Sequence, residues 1–120
     1  MMKPARTERM ASELQKALYE VITRKIKNPL ITEMFSITRV EVSKDLSYAK
    51  VYISVFSADP VKKKNTFDEI KKSSKEIRYE LAKEIRARIV PELDFEQDDS
   101  IEYGDKMEKL FLKIEGKDKN

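Results

Sequence analysis

Residues 37–56 read ITRVEVSKDLSYAKVYISVF. Over 48–56 the alternation is nearly strict. Ala49, Val51, Ile53 and Val55 fall on one side of an extended chain, with Tyr48, Lys50, Tyr52, Ser54 and Phe56 on the other. A period of two predicts a strand with one buried face. Over 37–43, Val40 and Val42 share a face that Thr38 continues, while Glu41 and Ser43 point away. Lys44-Asp45-Leu46-Ser47 supplies a four-residue turn between the two strands.

The flanks read as helices. Met10, Leu14, Ala17, Leu18, Val21, Ile22 and Ile26 recur at spacings of three and four, predicting a helix over 5–27. Asn28-Pro29 is expected to stop it, because the residue before proline avoids helical geometry. Leu30, Ile31, Met34 and Phe35 read as a short apolar link. After the hairpin, 58–65 read as a loop carrying a Lys62-Lys63-Lys64 triplet. Thr66 and Glu69 form a capping-box pattern for a helical run over 66–90. The apolar stripe Phe67, Ile70, Ile77, Leu81, Ile85 thins at Ser73-Ser74, where serines compete for backbone hydrogen bonds and a kink is expected. Pro91 ends that run. Leu93 and Phe95 alternate with Asp94, Glu96 and Asp98 as a third strand. Asp99 and Glu102 then cap a last helix carrying Ile101, Met107, Leu110, Phe111 and Ile114. The order helix–strand–strand–helix–helix–strand–helix predicts one α+β domain with its helices on one face of a sheet.

The chain has 120 residues, 40% hydrophobic and 39% charged, without Cys, His or Trp. One domain is the natural expectation at this length. The missing residue types exclude disulfides, thiol catalysis, Ser–His–Asp chemistry and Cys- or His-ligated metal sites. No stretch approaches about 18 consecutive apolar residues. The start, MMKPARTERMASELQK, lacks the apolar core of a signal peptide, so a cytoplasmic protein is expected.

Charge is unevenly placed. The 25 basic and 22 acidic side chains sum to +3, yet residues 1–30 carry +4, 62–88 carry +5 and 89–105 carry −7. Two basic segments brought together would form a footprint for phosphate, with the acidic segment restricting its orientation. Each run taken singly also reads as a solvated helix surface.

Few residues suggest other chemistry. Asp94, Glu96 and Asp98 share a strand face and could gather Mg²⁺ loosely, but a solvated acidic face explains them better. Tyr48, Tyr52 and Phe56 interleaved with Lys50 raise an RNA-stacking platform. The plainer reading is that these rings favour a strand or cover the sheet. No glycine-rich phosphate loop, zinc motif or calcium loop occurs. The residues offer binding chemistry, and neither an enzyme nor a metal site is expected.

Two blocks resemble a known family. VEVSKDLSYAKVYISV looks like the signature of ribosome-binding factor A. IRYELAKEIRARIVPELDFEQDDSIEYGDKMEKLF resembles that family's second signature, through Arg78, Glu80-Leu81, Pro91-Glu92-Leu93 and 99–104. The resemblance covers roughly residues 5–114. It implies a single KH-like domain of the second topological type over 5–114, with a short C-terminal helix and a loose tail at 116–120. It further implies a non-enzymatic factor without a cofactor, a monomer. That factor would bind the small (30S) ribosomal subunit and assist late 16S rRNA maturation, with importance for growth in the cold.

The family's KH-like domain replaces the GxxG clamp with a helix interrupted at an Ala-x-Gly element. Here the matching stretch is Ser73-Ser74-Lys75. Lysine disfavours the left-handed backbone that glycine adopts, so the expected kink has no glycine to carry it. The RNA-contact candidates are Arg6, Arg9, Lys62, Lys63, Lys64, Lys71, Lys72, Lys75, Arg78, Arg86 and Arg88. Two other classes stay open. A general RNA- or DNA-binding protein would use the same basic surface. A protein-interaction adaptor would use apolar residues near Leu30–Phe35 or the final helix.

Overall fold

The computed structural model describes residues 6–85 and 90–99. Helix α1 (Arg6–Glu20) carries its apolar stripe into the core, with Leu14 and Leu18 fully buried. Its continuation, Val21–Lys25, is a π-helical turn that buries Val21 and Ile22. Ile26 then leaves in an extended conformation while its N–H still bonds the Val21 carbonyl at 3.0 Å. The helix expected over 5–27 therefore ends at Lys25, ahead of Asn28-Pro29. Asn28 instead turns the chain: its Oδ1 accepts from the Leu30 N–H at 2.9 Å, and its carbonyl from the Ile31 N–H at 3.1 Å.

Strand β1 (Met34–Val42) pairs antiparallel with β2 (Tyr48–Phe56), from Met34 opposite Phe56 to Val42 opposite Ala49. β1 starts earlier than the expected strand at 37, so Met34 and Phe35 belong to the sheet. The register slips between Ile37 and Arg39, with Thr38 as the extra residue of a bulge. Phe35 and Ile37 before the bulge and Val40 after it are all buried. Thr38 does not continue their face. Its hydroxyl donates to Asp98 Oδ2 at 2.6 Å. Gln15 Nε2 of α1 donates to the Ile37 carbonyl at 2.8 Å, satisfying a backbone acceptor beside the bulge. β2 keeps the expected alternation, with Ala49, Val51, Ile53 and Val55 fully buried. In the turn, Asp45 Oδ1 accepts from Ser43 Oγ (2.7 Å), Ser47 N (3.1 Å) and Ser47 Oγ (2.7 Å). These bonds hold Leu46 at φ 62°.

Helix α2 (Pro60–Lys72) begins six residues before the expected Thr66 cap. Asp59 is the N-cap, its Oδ1 accepting from Val61 N (2.9 Å) and Lys62 N (3.4 Å), and Pro60 needs no partner for a missing N–H. Lys62-Lys63-Lys64 is therefore helical and not a loop. Thr66 lies buried inside the helix, its hydroxyl accepting from the Glu33 N–H at 3.4 Å. Ser73 separates α2 from α3 (Ser74–Glu84), with ψ at 8° where a regular helix has about −42°. Its hydroxyl donates to the Glu69 carbonyl at 2.9 Å, a back-bond that bends helices. The break thus falls in the expected Ser73-Ser74 region without a left-handed residue. Lys75 sits inside α3. α3 ends at Glu84 instead of continuing to 90. Ile85 is extended yet buried.

Strand β3 (Glu92–Gln97) runs parallel to β2, with Leu93 opposite Ala49 and Phe95 opposite Val51, so the sheet order is β1-β2-β3. Leu14 and Leu18 of α1, Phe67 and Ile70 of α2, and Ile77 and Leu81 of α3 pack on the sheet's inner face. Each such fully buried side chain contributes about 1.5–3 kcal/mol. This is an α+β, KH-like fold of the second topological type, helix–strand–strand–helix–kink–helix–strand. The expected C-terminal helix, the Asp99–Glu102 capping box, Arg86, Arg88 and the tail at 116–120 lie outside the described residues.

Candidate nucleic-acid interface

Among the described residues, the candidate cations occupy three places on the helical side. Arg6 and Arg9 are exposed on the first turns of α1. Lys62, Lys63 and Lys64 lie on the first half of α2, where the helix separates them. Lys62 and Lys64 are exposed, and Lys64 pairs with Asp68 at 2.9 Å. The Lys63 side chain is only 12% exposed and faces Asp99 at 3.9 Å, so it ties α2 to the end of β3. Lys71, Lys72, Lys75 and Arg78 flank the Ser73 junction and are exposed. Lys71 and Lys72 also complement the negative C-terminal end of α2, which is a structural reason for lysine there. Arg78 Nη2 donates to the Val90 carbonyl at 2.8 Å, bracing the approach to β3.

The end of α1 reaches the same junction. Asn28 Nδ2 donates to Glu69 Oε1 at 3.1 Å and to Ser73 Oγ at 3.3 Å. Lys25 and Lys27, both exposed, are thereby carried to the corner that holds Lys72 and Lys75. The sequence reading did not single out these two lysines. Their signal was modest, two cations at the close of a helix, and what places them is a contact 41 and 45 residues away along the chain. Glu69 Oε2 lies 3.4 Å from Lys72 Nζ, so one carboxylate meets Asn28 on one oxygen and Lys72 on the other.

A groove between the 30–33 connection and α2 is less suited to a polyanion. Lys62 and Lys72 line it, but so do Glu33, Asp68 and Glu69. The hydroxyls of Thr32 and Ser57, with Lys62 nearby, hold the Glu33 carboxyl below its usual range. Glu33 thus stays charged there.

The outer face of the sheet uses its rings internally. Tyr48 Oη donates to Asp94 Oδ2 at 2.6 Å, and that bond pushes the phenol up to about 12. Tyr52 Oη donates to Glu41 Oε1 at 2.9 Å, while the Arg39 guanidinium sits 4.4 Å over the Tyr52 ring. Both aromatics act as cross-strand ties. Asp94 and Asp98 accept hydrogen bonds from hydroxyls, and among the described residues no three acidic side chains converge as a metal cage. No helix among them is long and apolar enough to cross a membrane.

Fold and charge together define a class: a KH-like α+β protein whose kinked helical face presents lysines suited to a polyanion. Within that class the chain belongs to the ribosome-binding factor A family, whose family model matches residues 6–111. It is 43% identical over 115 residues to the Ribosome-binding factor A of Clostridium acetobutylicum, covering 96% of this chain and 94% of that one. The Caldanaerobacter subterraneus protein of the same name is 41% identical over 109 residues, covering 91% and 88%. Among solved structures, the solution structure of a ribosome binding factor A candidate from Thermotoga maritima matches with TM-score 0.66 and 33% identity, covering 87% of this chain and 98% of that one. A Thermus thermophilus ribosome binding factor A, fitted as a homology model into a cryo-EM map of a 30S complex, matches with TM-score 0.60 and 24% identity, over 74% and 91%.

Proposed function

We propose that this chain is a non-enzymatic assembly factor, one domain over 5–114, that binds the immature small ribosomal subunit and assists late maturation of its 16S rRNA. The family match over 6–111 carries the reading. Supporting it are the 30S complex in which the Thermus relative was placed and the lysines gathered at the helix junction. The mechanism is architectural. Lysines on the helical side contact phosphates and supply affinity, while RNA shape supplies selectivity. The protein favours one RNA conformation only by its difference in affinity between that conformation and the alternatives. Such a bias matters most in the cold, where misfolded RNA escapes slowly. Over 30–35 an apolar adaptor surface has less to draw on: Phe35 is buried and Ile31 half-buried, leaving Leu30 exposed in the connection and Met34 exposed at the start of β1.

The test is binding to purified immature 30S, mature 30S, 70S and short RNA at matched ionic strength. Tightest binding to immature 30S, weakening as salt rises, is expected. Depleted cells should accumulate precursor 16S rRNA. Equal affinity for all four targets, with normal precursor processing, would overturn the proposal.

A further inference from the structure

We infer that Asn28 is a positioning residue, a latch that docks the exit of α1 onto the α2–α3 junction and so holds two groups of lysines in one phosphate-binding corner. This rests on the reading of the chain as an RNA-binding assembly factor and adds Lys25 and Lys27 to its contact surface.

Ser73 is the only residue between the two helices, with ψ near 8°. The backbone remains bonded on both sides, through Ser73 N to the Glu69 carbonyl at 3.1 Å and Ile77 N to the Ser73 carbonyl at 2.8 Å. The break therefore acts as a bend about one residue. Asn28 meets that bend from its α2 side, donating to the Glu69 side chain on α2 and to the Ser73 hydroxyl at the junction. Its other side-chain atom, Oδ1, is already used to accept the Leu30 N–H and form the turn after α1. A single amide thus fixes the exit of Lys25 and Lys27 relative to Lys72 and Lys75. Glu69 also steadies the Lys72 ammonium through its second oxygen.

Asn28→Asp separates the two halves of this job. The carboxylate still accepts the Leu30 N–H, but it cannot donate, and it faces the Glu69 carboxylate. Adding Glu69→Gln returns a donor from the opposite side, so N28D/E69Q rebuilds the bond with its direction reversed. E69Q alone controls for release of Lys72.

Two readouts follow. Because the chain has no cysteine, spin labels can be placed at Leu30→Cys in the turn after α1 and Glu84→Cys on α3, both exposed and neither a lysine of the corner. The parent should give one narrow distance distribution, N28D a broadened or shifted one, and N28D/E69Q the parental one again. In binding to immature 30S, N28D should lose roughly 5–10-fold at physiological salt. Its salt dependence should flatten by about one phosphate, roughly 0.7–0.9 in logarithmic slope. N28D/E69Q should recover more than E69Q adds to the parent, a coupling that a double-mutant cycle isolates. The salt slope reports phosphates contacted, so lowered stability alone does not move it. If N28D leaves both distances and slope unchanged in a parent that binds 30S, the latch is wrong. If the parent fails to bind 30S while the distances respond, the latch stands and the assembly-factor reading falls.

Discussion

Asp45 holds the hairpin turn on one carboxylate oxygen, and its chemistry is visible in its acidity. Hydrogen bonds from the Ser47 and Ser43 hydroxyls and the Ser47 N–H pull its pKa from 3.8 to about 2. A carboxyl depressed in the folded state stabilises fully above its unfolded pKa and loses that contribution as pH falls through the folded value. The stability difference between the parent and Asp45→Ala should therefore be constant from pH 7 to about pH 5 and shrink between pH 4 and 2. Denaturant melts across that range measure it. A difference as large at pH 2 as at pH 7 would show that the charge does not brace the turn. The turn's location was legible, since Lys44-Asp45-Leu46-Ser47 interrupts two alternating runs. The left-handed Leu46 was not, because leucine has no local preference for that region and it is held by its own N–H bond to the Ser43 carbonyl together with the bonds converging on Asp45.

At the scale of elements, α2 shows how a signal can be present and misread. Asp59-Pro60 is a strong start, an N-cap followed by proline at the first helical position, yet the lysine-rich stretch after it resembled a loop. Thr66 and Glu69 had the spacing of a capping box, but their side chains serve other elements: Thr66 meets the connection before β1, and Glu69 meets Asn28. Asp59→Ala should cost about 0.5–2 kcal/mol in equilibrium denaturation. A variant as stable as the parent would mean that the cap does not hold α2's first turn. β2 was readable because a period of two survives along an unbroken strand. β1 was readable only in part. The bulge at Thr38 adds one residue and reverses the phase on one side of it, which no local pattern announces. The break at Ser73 was placed correctly, since a gap in the apolar stripe coincided with residues able to bond their own backbone.

Across the whole molecule, the question is which surface a polyanion meets. The close of the first basic segment meets the second at the Asn28–Ser73 corner, while Arg6 and Arg9 sit at the far end of α1. That meeting was legible only as a condition, because it depends on side-chain bonds between distant stretches. The acidic segment enters the sheet as β3, where Glu92, Asp94 and Glu96 line an edge strand and Asp99 meets Lys63. The outer sheet face therefore mixes Arg39 and Lys50 with Glu41, Asp94 and Glu96, while on the kinked helical side Lys71 and Lys75 have no carboxylate partner among the described residues. Equal numbers of lysines should then count differently according to where they sit. Neutralising Lys71 and Lys75 together with glutamine should flatten the salt dependence of 30S association by roughly two phosphates and weaken binding accordingly. Lys44→Gln with Lys50→Gln, on the hairpin and the outer face, should leave the slope near the parental value. Circular dichroism and melts would verify that both variants keep the fold. If the two sets flatten the slope alike, binding reads overall charge and the helical face has no special part in it. If only the outer-face pair matters, RNA meets the sheet and the Asn28 corner points away from it.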